Sequence, residues 1–307
     1  MKITILDGYT TNPGDISWAP IEACTQETLM VYESTAPEDL AARAAGAQIL
    51  VSNALRFGRE EFRELPDLKL LCLISTGYSH VDLAAARQAG VAVTNTPGYS
   101  TEAVAQHTIT LLLELTNHVA LHDRSVREGG YFDIPYDCYF VKPLTLLAGK
   151  TLGIIGYGNI GRKVGHVAAA LGMEVIPYSR DPEGARHADV VSLHCPLTRE
   201  TRRLINADFI HGMKDGALLL NTARGSLVDE AALAHALETG KLAGAGLDVL
   251  VTEPQNRENP SPLLAAPNCI ITPHNAWMPR ETRQRLIHMA AENIVSFLEG
   301  GRLNRVD

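Results

Sequence analysis

Short apolar runs rich in Ile, Val and Leu recur along the chain, separated by longer mixed stretches. In the first hundred residues they are "KITILD" (2–7), "QILVSN" (48–53), "KLLCLIS" (69–75) and "VAVTNT" (91–96). Unbroken runs of this kind, as opposed to alternating ones, belong to strands covered on both faces, so they predict a parallel sheet wrapped by helices. Residues 101–128, "TEAVAQHTITLLLELTNHVALHDRSVRE", hold neither Gly nor Pro and follow Ser100, and either Ser100 or Thr101 could cap them; one long helix is predicted there. The next stretch, "GGYFDIPYDCYFVKPLTLLAGK", is aromatic and rich in Gly and Pro, which predicts irregular chain. A second strand series follows: "TLGIIG" (151–156), "EVIPYS" (174–179), "ADVVSLH" (188–194), "ALLLNTA" (217–223), "AGAGLDVL" (243–250) and "CIITPH" (269–274). The fold class is therefore α/β, with two doubly wound parallel-sheet domains, the second the larger. A final helix, "RETRQRLIHMAAENIVSFLEGG", sets Leu286, Ala290, Ile294, Phe297 and Leu298 near one face and ends at Gly300 and Gly301.

Composition narrows this picture. A chain of 307 residues with 46% hydrophobic and 20% charged positions is globular and long enough for two domains. The net charge of −8 argues against a nucleic-acid partner, which needs a basic face to displace counterions. No run of apolar residues is long enough for a membrane span, and "MKITILDGYT" has no small-residue cleavage site, so a soluble cytoplasmic protein is expected. Cys24, Cys72, Cys138, Cys195 and Cys269 are odd in number and widely spaced, which supports neither disulfides nor a zinc site. His80, His107, His118 and His122 match no metal-ligand spacing and read as structural or surface residues.

Candidate chemistry begins at "TLGIIGYGNIGRKVGHVAAALGMEVIPYS", where Gly156, Gly158 and Gly161 stand in G-x-G-x-x-G register directly after a strand and opening a helix. The first glycine permits the tight turn, the second admits a pyrophosphate against the backbone, and the third lets helix pack on strand. The helix start, Asn159 and Ile160 onward, offers free N–H groups to phosphates. A carboxylate usually ends the next strand and accepts the ribose hydroxyls of NAD. Here Ser179 holds that place, with Arg180 beside it and Asp181 two residues late. A carboxylate about 4 Å from a 2′-phosphate would repel it by roughly 4 kcal/mol per charge pair at intermediate dielectric, before screening. Serine removes that repulsion and arginine adds attraction, which favours NADP(H). The alternative is a solvated Arg180 with Asp181 swinging in to hold NAD(H).

Three later segments carry polar residues at the ends of apolar strands: "LLLNTARGSLVDE", "GAGLDVLVTEPQ" and "CIITPHNAW". With "GIIGYGNIG" and "LHCPLTRETRRLIN" before them, they follow in order the signatures of the D-isomer-specific 2-hydroxyacid dehydrogenase family, which the chain resembles over essentially its whole length. Within the family, "LDGYTTNPGDISW", "STGYSHVD" and "PGYSTEAVAQ" look most like the glycerate dehydrogenase (hydroxypyruvate reductase) branch.

The resemblance implies catalytic roles for Arg224, Glu253 and His274. Arg224 would bridge the carboxylate and ketone of a 2-oxo acid with its planar fork of donors. His274 would give a proton to the developing alkoxide, and Glu253 would favour the imidazolium and fix the ring. Each has a plain structural reading too: a strand-end cap for Arg224, turn chemistry for Glu253 before Pro254, a satisfied core histidine for His274. By the same resemblance Thr76, Gly77 and Tyr78 would hold the substrate carboxylate, Asn53 would lie on a further substrate loop with Arg56 supplying charge, and Trp277 would wall the pocket or simply pack. His194, Cys195, Pro196, Thr201, Thr222, Ala223 and Asp248 would lie along the cofactor.

The implied architecture is a flavodoxin-like substrate domain, residues 1–98 plus 283–307, and a Rossmann NAD(P)-binding domain, 99–282, with an interdomain active-site cleft. The helix from Thr101 and the aromatic loop after it resemble the family's dimerisation region, so a homodimer is expected. The implied activity is NAD(P)H-dependent reduction of a small 2-oxo acid, hydroxypyruvate and also glyoxylate, to the D-2-hydroxy acid, with the reverse oxidation of D-glycerate. Another 2-hydroxy acid as substrate, or a dinucleotide-sensing corepressor or scaffold, stands as the alternative.

Overall fold

All 307 residues are described by the computed structural model. The chain divides into two compact units, Met1–Ser100 with Trp277–Asp307, and Thr101–Ala276. In the first, β1 (Ile3–Ile5), α1 (Ala19–Glu22), β2 (Met30–Val31), α2 (Leu40–Ala44), β3 (Ile49–Ser52), α3 (Arg59–Glu64), β4 (Leu70–Leu73), α4 (Leu83–Gln88) and β5 (Ala92–Thr94) alternate along the chain. The strands form one parallel sheet in the order β2-β1-β3-β4-β5. Successive residues point to opposite faces and both faces are buried. Ile3, Ile5, Ile49, Val51, Leu70 and Cys72 build one core layer, and Leu6, Leu50, Leu71 and Leu73 build the other. Continuous apolar runs are what such two-sided burial requires.

The second unit opens with α5 (Thr101–Asn117) and α6 (Val119–Arg127), then runs β6 (Thr151–Ile155), α7 (Asn159–Ala170), β7 (Glu174–Pro177), α8 (Pro182–Arg186), β8 (Val190–Leu193), α9 (Ala207–His211), β9 (Ala217–Asn221), α10 (Glu230–Glu238), β10 (Leu242–Leu247) and β11 (Cys269–Ile271). Its six strands are all parallel, in the order β11-β10-β9-β8-β6-β7. Asp181, Asn206 and Asp229 cap α8, α9 and α10 by accepting the Gly184, Phe209 and Ala232 amides. The chain ends with α11 (Arg280–Leu298), which lays Leu286, Ile287, Ala290 and Ile294 on the first unit's core and stops at Gly300, φ 79°.

The structure departs from the sequence reading at four points. The helix expected over 101–128 breaks at His118, which takes a left-handed φ of 50°. Incoming chain claims the last turn of α5, Thr145 donating its amide to the Thr116 carbonyl at 2.9 Å, and α6 buries no residue that would hold it in line. Strand β2 lacks an apolar signal because it is a two-residue edge strand with both side chains exposed. The second boundary falls after Ala276, not 282: Trp277 packs edge-on against Tyr99, with centroids 6.3 Å apart, and so joins the first unit ahead of Arg283, which forms a two-pronged ion pair with Asp15 at 2.6 and 2.7 Å. On α11, Leu298 is 41% exposed and sits outside the core face expected for it.

Candidate active site

In the second unit, sequence order reverses between β6 and β8, and ligands of open parallel sheets bind at the carboxyl ends of strands beside such a reversal. The three fingerprint glycines stand there with different reasons for being glycine. At Gly156, φ 99°, an added Cβ would lie 2.3 Å from the Cys195 amide nitrogen and 2.4 Å from the His194 carbonyl carbon. At Gly161 it would meet the Gly156 carbonyl oxygen at 2.3 Å. Both are therefore demanded by the fold. Gly158 has an ordinary φ of −82° and nothing of the chain within 4 Å of its Cβ position, so the protein itself gives no reason for glycine there. Space kept open at the start of α7, where first-turn amides have no intrahelical acceptor, fits the pyrophosphate of a dinucleotide.

Around this cradle the residues read as cofactor contacts divide. Asn159 and Ile160 form the first turn of α7. The His194 amide donates to the Ile155 carbonyl at 2.7 Å and ties β8 to β6 beside Gly156. Its imidazole is buried, with Nε2 2.9 Å from the Ser192 hydroxyl and Nδ1 unpartnered, and burial pushes its pKa down to about 4. The Thr201 hydroxyl donates to the Pro196 carbonyl at 2.8 Å and accepts the Thr198 amide at 2.7 Å, fixing the loop that follows Cys195. Thr222 spends its hydroxyl on Thr108 at 2.8 Å, and the Ala223 amide donates to Asn221 at 3.0 Å. Ser179 and Arg180 are exposed at the end of β7, in a turn held by the Arg180 and Asp181 amides on the Pro177 carbonyl. The Asp181 carboxylate accepts the Gly184 amide on Oδ1 at 2.9 Å as the α8 cap.

The catalytic candidates gather at the carboxyl ends of β9, β10 and β11. Arg224 follows β9 and is exposed; the buried Asn221 shapes its turn by donating to the Arg224 carbonyl at 2.9 Å. Gly225 comes next, and a Cβ there would lie 2.0 Å from the Leu250 carbonyl, so glycine is what lets the Arg224 turn press against the segment leading to Glu253. Glu253 accepts the Leu250 amide on Oε1 at 2.7 Å and meets His274 Nδ1 through Oε2 at 2.7 Å. Partial burial opposes ionisation of Glu253, but the bonds from His274 and Leu250 and the charges of His274 and Arg224 hold its carboxyl below the usual range. With Nδ1 engaged, Nε2 is the nitrogen of His274 that can meet a ligand.

Sequence reasoning missed the supports of this pair. The Glu230 carboxylate accepts the Val251 amide and the Ser261 hydroxyl, both at 2.7 Å, and so clasps both ends of the loop bearing Glu253. Asp248, read as a cofactor contact, is 1% exposed; Oδ1 accepts from Thr272 (2.6 Å) and the Asn275 amide (3.0 Å), and Oδ2 accepts the Ala276 amide at 3.0 Å.

In the first unit, Thr76, Gly77 and Tyr78 follow β4. The Thr76 side chain donates to the Thr96 carbonyl at 3.1 Å, whereas the amides of all three residues donate to nothing in the chain. Asn53 and Ala54 give their amides to Asp7, and Asn53 Nδ2 donates to Thr10 at 3.2 Å. Arg56 is exposed. Trp277 packs on Tyr99 against the first unit's core, the packing role that the sequence also allowed.

No helix is long and apolar enough to cross a membrane, and no cluster of His, Cys, Asp and Glu could hold a metal ion. Residues 109–276, more than half of the chain, match the model of the D-isomer specific 2-hydroxyacid dehydrogenase NAD binding domain. The chain is 42% identical to a hydroxypyruvate reductase of Blautia hydrogenotrophica over the whole of both proteins. It is 39% identical to a glycerate dehydrogenase of Methylorubrum extorquens over 90% of this chain and 91% of that one. Among solved structures it superposes, with a TM-score of 0.85 and 27% identity over all of both chains, on an acyclic imino acid reductase in complex with NADPH and D-arginine. Two parallel-sheet units, the fingerprint at the strand reversal and the agreement across the full length place this chain in the D-isomer specific 2-hydroxyacid dehydrogenase family, as an NAD(P)-dependent oxidoreductase.

Proposed function

We propose that the protein reduces hydroxypyruvate, and glyoxylate as a second substrate, to the D-2-hydroxy acid with NADPH, and oxidises D-glycerate in reverse. The observation that carries the reading is the 2.7 Å bond from Glu253 to His274 Nδ1, which leaves Nε2 to exchange a proton with the substrate oxygen. When bound, the nicotinamide supplies the hydride to the carbonyl carbon. Arg224 anchors the carboxylate and polarises the ketone. In reduction His274 gives up its Nε2 proton while the Glu253 carboxylate keeps the ring oriented through Nδ1; in oxidation the neutral ring takes the proton back.

Hydroxypyruvate is chosen because full-length relatives carry the names hydroxypyruvate reductase and glycerate dehydrogenase. NADPH is preferred because Ser179 and Arg180 stand where a carboxylate would accept the ribose hydroxyls of NADH. Gly156, Gly158 and the first turn of α7 would hold its pyrophosphate. The protein acts as a homodimer: residues 129–146 expose Tyr131, Phe132, Tyr136, Phe140, Leu144 and Leu146, with Phe132 92% exposed, an apolar surface that a second copy would cover. Five unpaired cysteines suit a reducing cytoplasm. Purified protein with hydroxypyruvate should oxidise NADPH faster than NADH. Tight nucleotide binding without turnover of hydroxypyruvate, glyoxylate or D-glycerate would instead favour the sensor reading.

A further inference from the structure

His274 sits in a backbone conformation that its residue type disfavours. Its φ is 53°, in the left-handed region that L side chains rarely adopt. Such a conformation persists only where surrounding bonds over-determine it. Here most of them come from one residue. The His274 amide is shared between the Asp248 carbonyl at 2.9 Å and the Thr272 carbonyl at 3.0 Å, and the Asn275 and Ala276 amides end on the Asp248 carboxylate at 3.0 Å each. Asp248 is itself fixed at the end of β10, its amide donating to the Asn221 carbonyl at 2.9 Å.

Behind the carboxylate lies a relay that reaches another element. The Thr272 hydroxyl is 2.6 Å from Asp248 Oδ1 and 2.9 Å from His107 Nε2 on α5; His107 Nε2 is also 3.6 Å from Asp248 Oδ1. A hydroxyl has one proton, and the shorter contact, to a carboxylate, takes it. Thr272 must then accept from His107, which fixes His107 as an Nε2–H donor. The three side chains form a directed line, His107 to Thr272 to Asp248, ending on the turn that carries His274.

We infer that His107, Thr272 and Asp248 are positioning residues for His274: they hold the left-handed turn that aims its imidazole, and none of them touches substrate. This accounts for two features that the cofactor reading leaves unused, a carboxylate with both oxygens filled inside the protein and a helix histidine whose donor points at a half-buried threonine. It rests on His274 being the proton-transfer residue.

The test uses Thr272→Val, which keeps the shape and removes the hydroxyl, beside Thr272→Ser, which restores it, and His107→Leu. With hydroxypyruvate and NADPH, Thr272→Val and His107→Leu should lower kcat about tenfold or more, the scale of a slight misplacement of a catalytic group, with KM changed less than threefold as an order of magnitude. NADPH affinity, read by fluorescence without substrate, should stay at the wild-type value, and amide exchange at residues 274–276 should accelerate. Thr272→Ser should recover kcat. A kcat for Thr272→Val within about twofold of wild type would overturn the inference, as would equal losses in kcat and NADPH affinity, the mark of general unfolding. His274→Ala is run in parallel: full activity there sinks the proton-transfer assignment itself, whereas an inactive His274→Ala with a wild-type-like Thr272→Val sinks only the positioning line.

Discussion

The two sheets share a topology and treat its key crevice in opposite ways. In each, the second strand lies outside the first and the third lies on its other side, so both have a reversal point at the carboxyl ends of two neighbouring strands, β1 and β3 in one and β6 and β8 in the other. In the first unit a carboxylate fills that point: Asp7 draws in the Asn53 and Ala54 amides at 2.8 Å and the Ser52 hydroxyl at 3.2 Å. In the second, glycine keeps it open: Gly156 brings the β6 turn against the His194–Cys195 backbone, and Gly158 leaves space over the first turn of α7. Amides already answered by an internal anion are not available to an external one, whereas amides left without an acceptor are. The crevice's use is therefore set by a few residues at its rim, with topology supplying only the place.

The largest effect should come from the proton transfer proposed for His274. His274→Ala should cut kcat by on the order of 10²–10⁴ while leaving NADPH affinity in place, since general acid–base contributions fall in that range. Next comes the glycine contrast. Gly158→Leu should fold with wild-type thermal stability, because its Cβ meets nothing, yet bind NADPH on the order of a hundredfold more weakly. Gly156→Ala should instead lower the melting temperature, its Cβ meeting backbone at 2.3 Å. Equal behaviour of the two variants would erase the distinction drawn between them.

Acid probes the second unit as well. Burial holds the His194 pKa down at about 4 against an ordinary 6.5, so the unfolded chain takes up a proton there that the folded one refuses. That contribution is complete above pH 6.5 and is lost as pH falls toward 4, amounting to about 3 kcal/mol at 1.4 kcal/mol per unit. Asp189, held at about 2 by its bonds to Lys214 and Thr151 despite partial burial, adds a second loss as pH falls from about 4 to 2. Both groups belong to the second unit. Denaturant melts at pH 7 and 4.5 should show the first loss, and His194→Phe should flatten it.

Smaller effects should follow at the two rims. Asp7→Ala should cost about 1–2 kcal/mol of stability by orphaning the Asn53 and Ala54 amides, and should raise KM for the oxo acid without touching NADPH affinity. Ser179→Asp should shift the kcat/KM ratio toward NADH by about tenfold, a modest figure because the position is exposed and screened. An unmoved ratio would mean that position 179 does not meet the 2′-phosphate.

Most of the fold was legible because two-sided burial writes each parallel strand as an unbroken apolar run, as "QILVSN" and "ALLLNTA" illustrate. Strand β2 was not, since an edge strand of two exposed residues buries nothing that a pattern could register. Nor was the break at His118: the Thr116 carbonyl just before it accepts the Thr145 amide, 29 residues further along the chain from Thr116, and no Gly or Pro marks it. At the site, Glu253 and His274 stood out as polar residues after apolar strands, and the structure brings them to 2.7 Å. The supports did not stand out. Glu230 clasps residues 251 and 261, and His107 reaches Thr272 across 165 positions, separations at which one residue leaves no local trace of another.

The central claim is hydride addition to a 2-oxo acid with the proton set by His274, and it is tested most directly by the label in the product. With NADPH deuterated at the transferring C4 position and hydroxypyruvate in ordinary water, chiral analysis and mass spectrometry should find D-glycerate carrying one deuterium at C2 per NADPH consumed. L-glycerate, unlabelled D-glycerate, or NADPH oxidation without glycerate would contradict it.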